Sequence, residues 1–266
     1  MEREQRFKGK SILVTGGAGE IGLATAVRFA EEGASVMLTD IKEEGLKKGK
    51  KRLNGYGVRV ETYVCDVSDY SSVRKMTEAA AENFSGIDML FNNAGYQGLF
   101  KPIHQYPVDD FEKVLRINLF GAFYVLRAVS EHMTARKKGC IVNTASMAGV
   151  EGPPNMAAYG ASKFGMVSLT QTAAKDLAPH NIRVNAISPA FMGPGFMWER
   201  QIKLQAEAGS QYFSADPTTV VQQMIASVPM RRYGNINEIP GTIAFLMSDD
   251  ASYITGVNVP ISGGII

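Results

Sequence analysis

The sequence predicts an α/β fold: a doubly wound, seven-stranded parallel sheet flanked by helices. Three observations lead there. Short β-branched runs alternate with longer segments of helical period along the whole chain, the pattern of repeated strand–helix–strand units. The runs "ILV", "DMLFN" and "CIVN" are almost continuously apolar, as strands covered by helices on both faces must be. The length of 266 residues suits one large domain, residues 1–266, and crossovers in such a sheet run right-handed.

The first strand is expected over residues 11–15. In the following "IGLATAVRFAEEG", Ile21, Ala24, Val27, Phe29 and Ala30 form one buried helical face, and Gly33 supplies the stop. Further strands are expected at 35–40, 58–65, 87–92, 140–146, 182–188 and 257–261, and further helices at 68–84, 108–137 and 157–177. The rhythm breaks over residues 191–229, a long, aromatic, Met-rich stretch interrupted by Gly193, Pro194, Gly195, Gly209 and Pro217. It follows the C-terminal end of the sixth strand, the edge where open α/β sheets bind ligands. A substrate-covering lobe is the preferred reading, a packed insertion the alternative.

Composition excludes several classes. Apolar residues make up 45% and charged residues 20%, and 28 basic side chains nearly cancel 26 acidic ones. No basic stripe points to nucleic acid; the run Lys47 to Arg52 reads as the solvated face and end of a helix. No apolar run reaches the roughly 18 residues of a membrane span, and the charged N-terminus has no signal-peptide core. A cytoplasmic protein is expected. Cys65 and Cys140 lie in apolar strand-like runs and read as reduced core residues. His104, His132 and His180 have no paired ligand spacing, so no metal site is expected.

Three features carry chemistry. "VTGGAGEIG", Val14 to Gly22, joins a strand to a helix through glycines, and the amides and dipole of such a helix start attract anions. Many ordinary corners look the same. Asp40 ends the second strand, 18 residues after Gly22, where a carboxylate accepts bonds from both hydroxyls of an adenosine ribose and repels a 2′-phosphate. The bland reading is a helix N-cap. With the glycines, the ribose role is preferred, and with it NAD over NADP. "YGASK" places Tyr159 and Lys163 four apart on one helical face. A phenol with a pKa of about 10 is a poor base near neutrality, and an adjacent ammonium favours its phenolate. Ser146, expected at the end of a strand, offers a hydroxyl beside that phenol.

On these residues the chain resembles the short-chain dehydrogenase/reductases. That family's glycine motif is matched by Thr15, Gly16 and Gly22, its Asn-Asn-Ala-Gly by Asn92 to Gly95, and its catalytic set by Ser146, Tyr159 and Lys163. The resemblance implies a Rossmann-type sheet ordered 3-2-1-4-5-6-7 and a homotetramer. It implies that Asp66 meets the adenine, that Asn93, Ala94 and Gly95 line the cofactor and brace the sheet, and that Asn118 links Lys163 to a proton-relaying water. Lys163 would also grip the nicotinamide ribose. With Gly19, Glu20, Ile21, Ile41, Val67, Pro189 and Met192, these residues make up the expected NAD site. The stretches "NNAGYQG", "SMAGVEGPPNMAAYG", "SPAFMGPGFMWERQ" and "SVPMRRYG" resemble the family's polyol branch, the bacterial NAD-dependent xylitol dehydrogenases.

The chain departs from the family pattern at three points. Glu20 replaces the middle glycine, with Gly19 one place earlier; Pro189 is followed by Ala190; and Pro194 replaces the Thr that bonds the nicotinamide carboxamide. Clamping there falls to backbone, Ile187 or other lobe residues. Glu20 is expected to point outward, leaving the loop amides to the phosphates.

The activity implied is hydride transfer between NAD and a secondary alcohol held by Ser146 and Tyr159. Gln97, Asn155 and Glu199 suit a polyol, while Met147, Met156, Phe191, Met192, Phe196, Met197 and Trp198 supply apolar surface. Polyol oxidation is preferred and a hydroxysteroid dehydrogenase is the runner-up. A non-catalytic nucleotide sensor is disfavoured by the intact catalytic set, and a reductase of carrier-bound acyl chains by Asp40.

Overall fold

The computed structural model describes residues 5–265. Seven parallel strands form the central sheet: β1 (Ser11–Thr15), β2 (Ser35–Asp40), β3 (Val60–Val64), β4 (Met89–Asn92), β5 (Gly139–Thr144), β6 (Ile182–Pro189) and, after the two short strands of a separate ribbon, β7 (Met192–Gly193) and β8 (Gly234–Asn235), the last sheet strand β9 (Asn258–Ile261). Their order is β3-β2-β1-β4-β5-β6-β9. Counting only sheet strands, this is the expected order, and it makes the chain a Rossmann-type doubly wound α/β protein. The order reverses beside β1, so β1 and β4 part their following loops and open a crevice at their C-terminal ends.

Alternation along each strand builds two cores. Ile12 and Val14 of β1, Val36 and Leu38 of β2, and Val142 of β5 join Ala26 and Phe29 of α1 (Glu20–Glu31). The intervening Leu13, Met37 and Ile141 face the opposite layer, where Val73 and Met76 of α3 (Tyr70–Phe84) meet Val125 and Val129 of α5 (Ala122–Arg136). The helix α2 (Glu43–Leu53) buries only Leu46, Gly49 and Leu53. Lys47 on its solvent side pairs with Glu43 and Glu44, so the basic run is indeed a solvated face.

Three expectations need adjusting. The helix expected over 108–137 is α4 (Val108–Leu115), a π-helical turn (Arg116–Gly121) and then α5, because one extra residue is accommodated where Asn118 turns inward. β5 ends at Thr144, two residues short of Ser146, which instead caps a 3₁₀ turn over Met147–Gly149 by accepting a bond from the Ala148 N–H. The strand expected at 58–65 is trimmed at both ends. The long helix α6 (Ala157–Leu177) follows its expectation.

The break in rhythm after β6 is a lobe with its own small core. It contains β7, α7 (Phe196–Glu207) and α8 (Pro217–Ser227), packed around Trp198, Val220 and Met224. A further helix, α9 (Ile239–Met247), lies against α1 and β5. Its "IPGTIAFLM" is apolar nearly all round, so a one-sided helical period does not reveal it. Among the described residues no helix is long and apolar enough to cross a membrane. Both cysteines are buried free thiols.

Candidate active site

The crevice begins with the loop Thr15–Gly22. Gly16 has φ 65°, and a Cβ there would come within 3.0 Å of Ala94 Cα. A Cβ on Gly22 would collide with the Gly16 carbonyl. Side chains are thus excluded where the loop passes closest to β4 and to itself. Gly19 is the N-cap of α1 and provides no side-chain cap, so the first-turn amides remain available to an anion. Thr15 ties the loop to the sheet: its hydroxyl accepts from the Asn93 N–H at 2.9 Å and the Ala94 N–H at 3.0 Å. Asn93 Nδ2 donates to the Thr15 carbonyl at 3.1 Å, and Asn93 Oδ1 accepts from the Thr144 hydroxyl at 3.1 Å. β1, β4 and β5 are cross-linked at the ends that form the crevice.

Asp40 stands at the end of β2. One carboxylate oxygen accepts from the Ala18 N–H at 3.2 Å and the other from the Lys42 N–H at 3.0 Å. It holds the loop and the start of α2 together, and each oxygen keeps a lone pair for a further donor. The neighbouring Ile41 is 62% exposed, open to stacking. Asp66 accepts the backbone and hydroxyl bonds of Ser68 on one oxygen. The buried Val67 packs where Gly121 lacks a side chain.

The residues expected to carry the chemistry lie across the ends of β5 and α6. The Lys163 ammonium, 3% exposed, donates to the Thr144 carbonyl at 2.7 Å and stands 5.5 Å from the centroid of the Tyr159 ring. Burial lowers the lysine to about 8. Burial also raises the Tyr159 phenol, and a hydrogen bond from Ser146 pulls it back part of the way. The spacing of Tyr159 and Lys163 suggested that the ammonium would favour the phenolate, but burial outweighs it and the phenol stays above its ordinary value. Desolvation disfavours the charged form of both groups. Gly149 lets the Ser146 turn lie against α6, since a Cβ there would come within 2.6 Å of the Lys163 carbonyl. Asn118 Oδ1 accepts from the Tyr96 N–H at 2.7 Å, and its Nδ2 donates to the Tyr96 carbonyl at 2.8 Å and the Ser162 hydroxyl at 3.1 Å. Ser162 in turn donates to the Tyr159 carbonyl at 2.7 Å. A side chain on Gly95 would lie 3.4 Å from Asn118 Oδ1 and 3.8 Å from Lys163 Nζ, so these two groups converge above it.

Ser146 and Tyr159 open into a cavity of about 500 Å³ beneath the lobe. Of the residues expected around cofactor and substrate, Ile21, Gln97, Met147, Met156, Pro189, Phe191 and Met192 line it, as does Met197. Glu151, Gln201, Gln205, Phe213 and Ile265 also line it and were not expected. Met197, Gln201 and Gln205 recur at spacing four on α7, a signal visible only once that stretch is read as a helix.

Five residues are not where the sequence reading puts them. Asn155 faces an adjoining groove, and its Nδ2 is engaged by Gln205 at 3.0 Å and Ser210 at 2.9 Å. Trp198 is buried in the lobe between Phe191 and Tyr233. Phe196 is 66% exposed and Glu199 is also exposed, and neither lines the cavity. Glu20 does not simply point outward: its Oε1 reaches across the crevice and accepts the Phe196 N–H at 3.0 Å. That contact keeps the carboxylate turned toward the lobe. The uncapped amides, the excluded side chains and the Asp40 carboxylate together fit a dinucleotide.

Comparison with known proteins agrees with this geometry. The family model described as enoyl-(acyl carrier protein) reductase matches residues 16–266. The chain belongs to the short-chain dehydrogenase/reductase family. Among relatives in this family, levodione reductase of Leifsonia aquatica is 39% identical over 97% of this chain and 95% of its own length. A 3-oxoacyl-(acyl-carrier-protein) reductase of Thermotoga maritima is 35% identical over 98% of this chain and 99% of its own. A solved structure of NAD⁺-bound xylitol dehydrogenase is 61% identical, with a TM-score of 0.97 over 97% of this chain and 100% of that one. The short-chain dehydrogenase/reductase motifs thus sit on the sheet order that the family requires.

Proposed function

We propose that the chain is an NAD-dependent oxidoreductase that interconverts a secondary alcohol and a ketone, with a xylitol-type polyol as its substrate. The observation that carries this reading is the cavity wall facing Ser146 and Tyr159. Gln97, Gln201, Gln205 and Glu151 line it; beyond the bonds that link Gln97 to Gln201 and Gln205 to Asn155, the side-chain NH2 groups of Gln201 and Gln205 and the Glu151 carboxylate can serve the remaining hydroxyls of a polyol. The 61% identity to a xylitol dehydrogenase supports the same choice.

NAD is the cofactor, and when bound it supplies the carbon that accepts hydride. Gly16, Gly19, Ile21 and Gly22 admit its phosphates to the start of α1. Asp40 takes the adenosine ribose, Ile41, Asp66 and Val67 flank the adenine, and Asn93, Ala94, Gly95, Pro189 and Met192 border the remainder. Ser146 and Tyr159 hold the alcohol oxygen between their hydroxyls. The Tyr159 oxygen takes the alcohol proton, and a base so placed contributes about 10² to 10⁴ in rate. The Lys163 ammonium favours the phenolate against the burial that opposes it. Asn118, locked to Tyr96 and Ser162, holds the proton exit beside Lys163 Nζ. The lobe, residues 191–229, covers the substrate and keeps water from the reacting carbon.

A second reading, a hydroxysteroid dehydrogenase, is favoured by the apolar wall of Met147, Met156, Phe191, Met192, Met197 and Phe213. Initial rates with xylitol, sorbitol and a panel of bile acids, each with NAD and NADP, separate the two. Turnover of xylitol with NAD is expected; a decisive preference for a bile acid overturns the polyol assignment. A cytoplasmic homotetramer completes the reading, and the exposed Phe120, Phe123 and Phe164 are available as its contacts. Light scattering of the eluting protein measures the assembly mass.

A further inference from the structure

The contact between Glu20 and Phe196 joins two parts of the molecule that the chain separates by 176 positions. Glu20 is the first residue of α1, at the glycine loop, and Phe196 is the first residue of α7, in the lobe. The carboxylate therefore lies at the N-terminal ends of two twelve-residue helices, where both dipoles favour a negative charge. Gly195, the N-cap of α7, brings no side chain that caps its first turn. At its φ of 149°, a Cβ would collide with the Glu20 carboxylate. The lobe backbone is shaped to receive this acid.

The other tethers of α7 follow at intervals along the same helix. Arg200 donates to Gln97 at 3.3 Å and to the Gly98 carbonyl at 2.9 Å. Gln97 donates to Gln201 at 3.4 Å, and Asn155 donates to Gln205 at 3.0 Å. The body of the protein thus grips α7 at its start, middle and end. Of the α7 side chains that line the cavity, Met197 lies between the first two grips, and Gln201 and Gln205 are themselves held. Only the first grip originates in the glycine loop.

We infer that Glu20 is a positioning residue that fastens the substrate-facing helix α7 to the phosphate loop, so that the loop and the substrate wall are held as one unit. The inference rests on the reading that this cavity takes the alcohol. It accounts for an acid where the family pattern has glycine: the carboxylate provides a cap for α7 that Gly195 cannot.

Hydrogen exchange of the full-length protein, measured by mass spectrometry without substrate, tests the fastening directly. In Glu20→Ala, exchange across residues 196–201 should rise about tenfold, the worth of one hydrogen bond to a charged group, while residues 11–15 and 35–40 stay protected. The KM for the alcohol should rise several-fold, with kcat changed less than about twofold, since Ser146, Tyr159 and Lys163 are untouched. Glu20→Gln keeps an acceptor oxygen and should restore most of both effects. Unchanged exchange over 196–201 in Glu20→Ala overturns the inference. So does a loss confined to NAD affinity, which would make Glu20 a cofactor-loop residue only. Equal defects in Glu20→Ala and Glu20→Gln also overturn it, because an acceptor would then not suffice. Faster exchange in a protein that turns over no alcohol tested leaves the fastening intact and removes the functional reading instead.

Discussion

Lys163 Nζ lies 5.5 Å from the centroid of the Tyr159 ring and spends a hydrogen bond on the Thr144 carbonyl. Ammonium and phenol are neighbours in surroundings that oppose charging either.

Stability should register that burden on the lysine. Its folded value, about 8, lies below the ordinary 10.5, so between these values the unfolded chain binds more protons. Stability then rises with pH across that window and carries the full penalty below it. Lys163→Met should melt higher than wild type near pH 7, by a few degrees for about 1 kcal/mol. The gap should narrow as pH climbs through 8 toward 10. Melting curves of both proteins over that range check the sign; a gap that widens with pH contradicts it.

Tyr159→Phe removes the oxygen proposed to take the proton and little else, since the ring still packs against Phe100 and Met156. Turnover should fall by about 10² or more, with NAD affinity within a few-fold of wild type. Single-turnover kinetics paired with a fluorescence titration of NAD read both; a variant that keeps most of its turnover removes Tyr159 from the chemistry.

Asp40→Ala discriminates the ribose role from simple capping. It deletes the acceptor of the Ala18 and Lys42 amides together with the charge that repels a 2′-phosphate. The ratio of kcat/KM with NADP to that with NAD should rise at least about tenfold, equivalent to about 1.4 kcal/mol. If only the melting temperature falls and the ratio holds, Asp40 is a cap.

Gly22→Ala inserts a methyl against the Gly16 carbonyl. The loop must shift, so NAD affinity should drop by about tenfold or more, an amount well within the worth of a displaced anion site. Calorimetric titration measures it, and unaltered affinity would mean that the loop is not the phosphate seat.

Much of this was legible in the sequence, for identifiable reasons. β1 and β2 show themselves because burial on both faces leaves an unbroken apolar run on residues such as Ile12, Leu13 and Val14. Tyr159 and Lys163 declare their shared face by spacing alone. Other features depend on distant partners. The π-helical turn exists because Asn118 reaches Tyr96 and Ser162, and local propensity does not encode that. Asn155 and Glu199 are polar residues near the right strand edge, but the bonds that withdraw Asn155 come from Gln205 and Ser210, fifty or more positions away. Trp198 faces inward because the lobe forms its own core, which a stretch punctuated by Gly and Pro conceals.

Thr144 has a consequence for how such a protein can change. Its hydroxyl engages Asn93 and its carbonyl engages Lys163, so the nucleotide crevice and the residues proposed to handle the proton share one anchor within the sheet. Nothing in α7 or α8 takes part in that anchor. The lobe can therefore diversify while the distances among Ser146, Tyr159 and Lys163 are inherited unchanged.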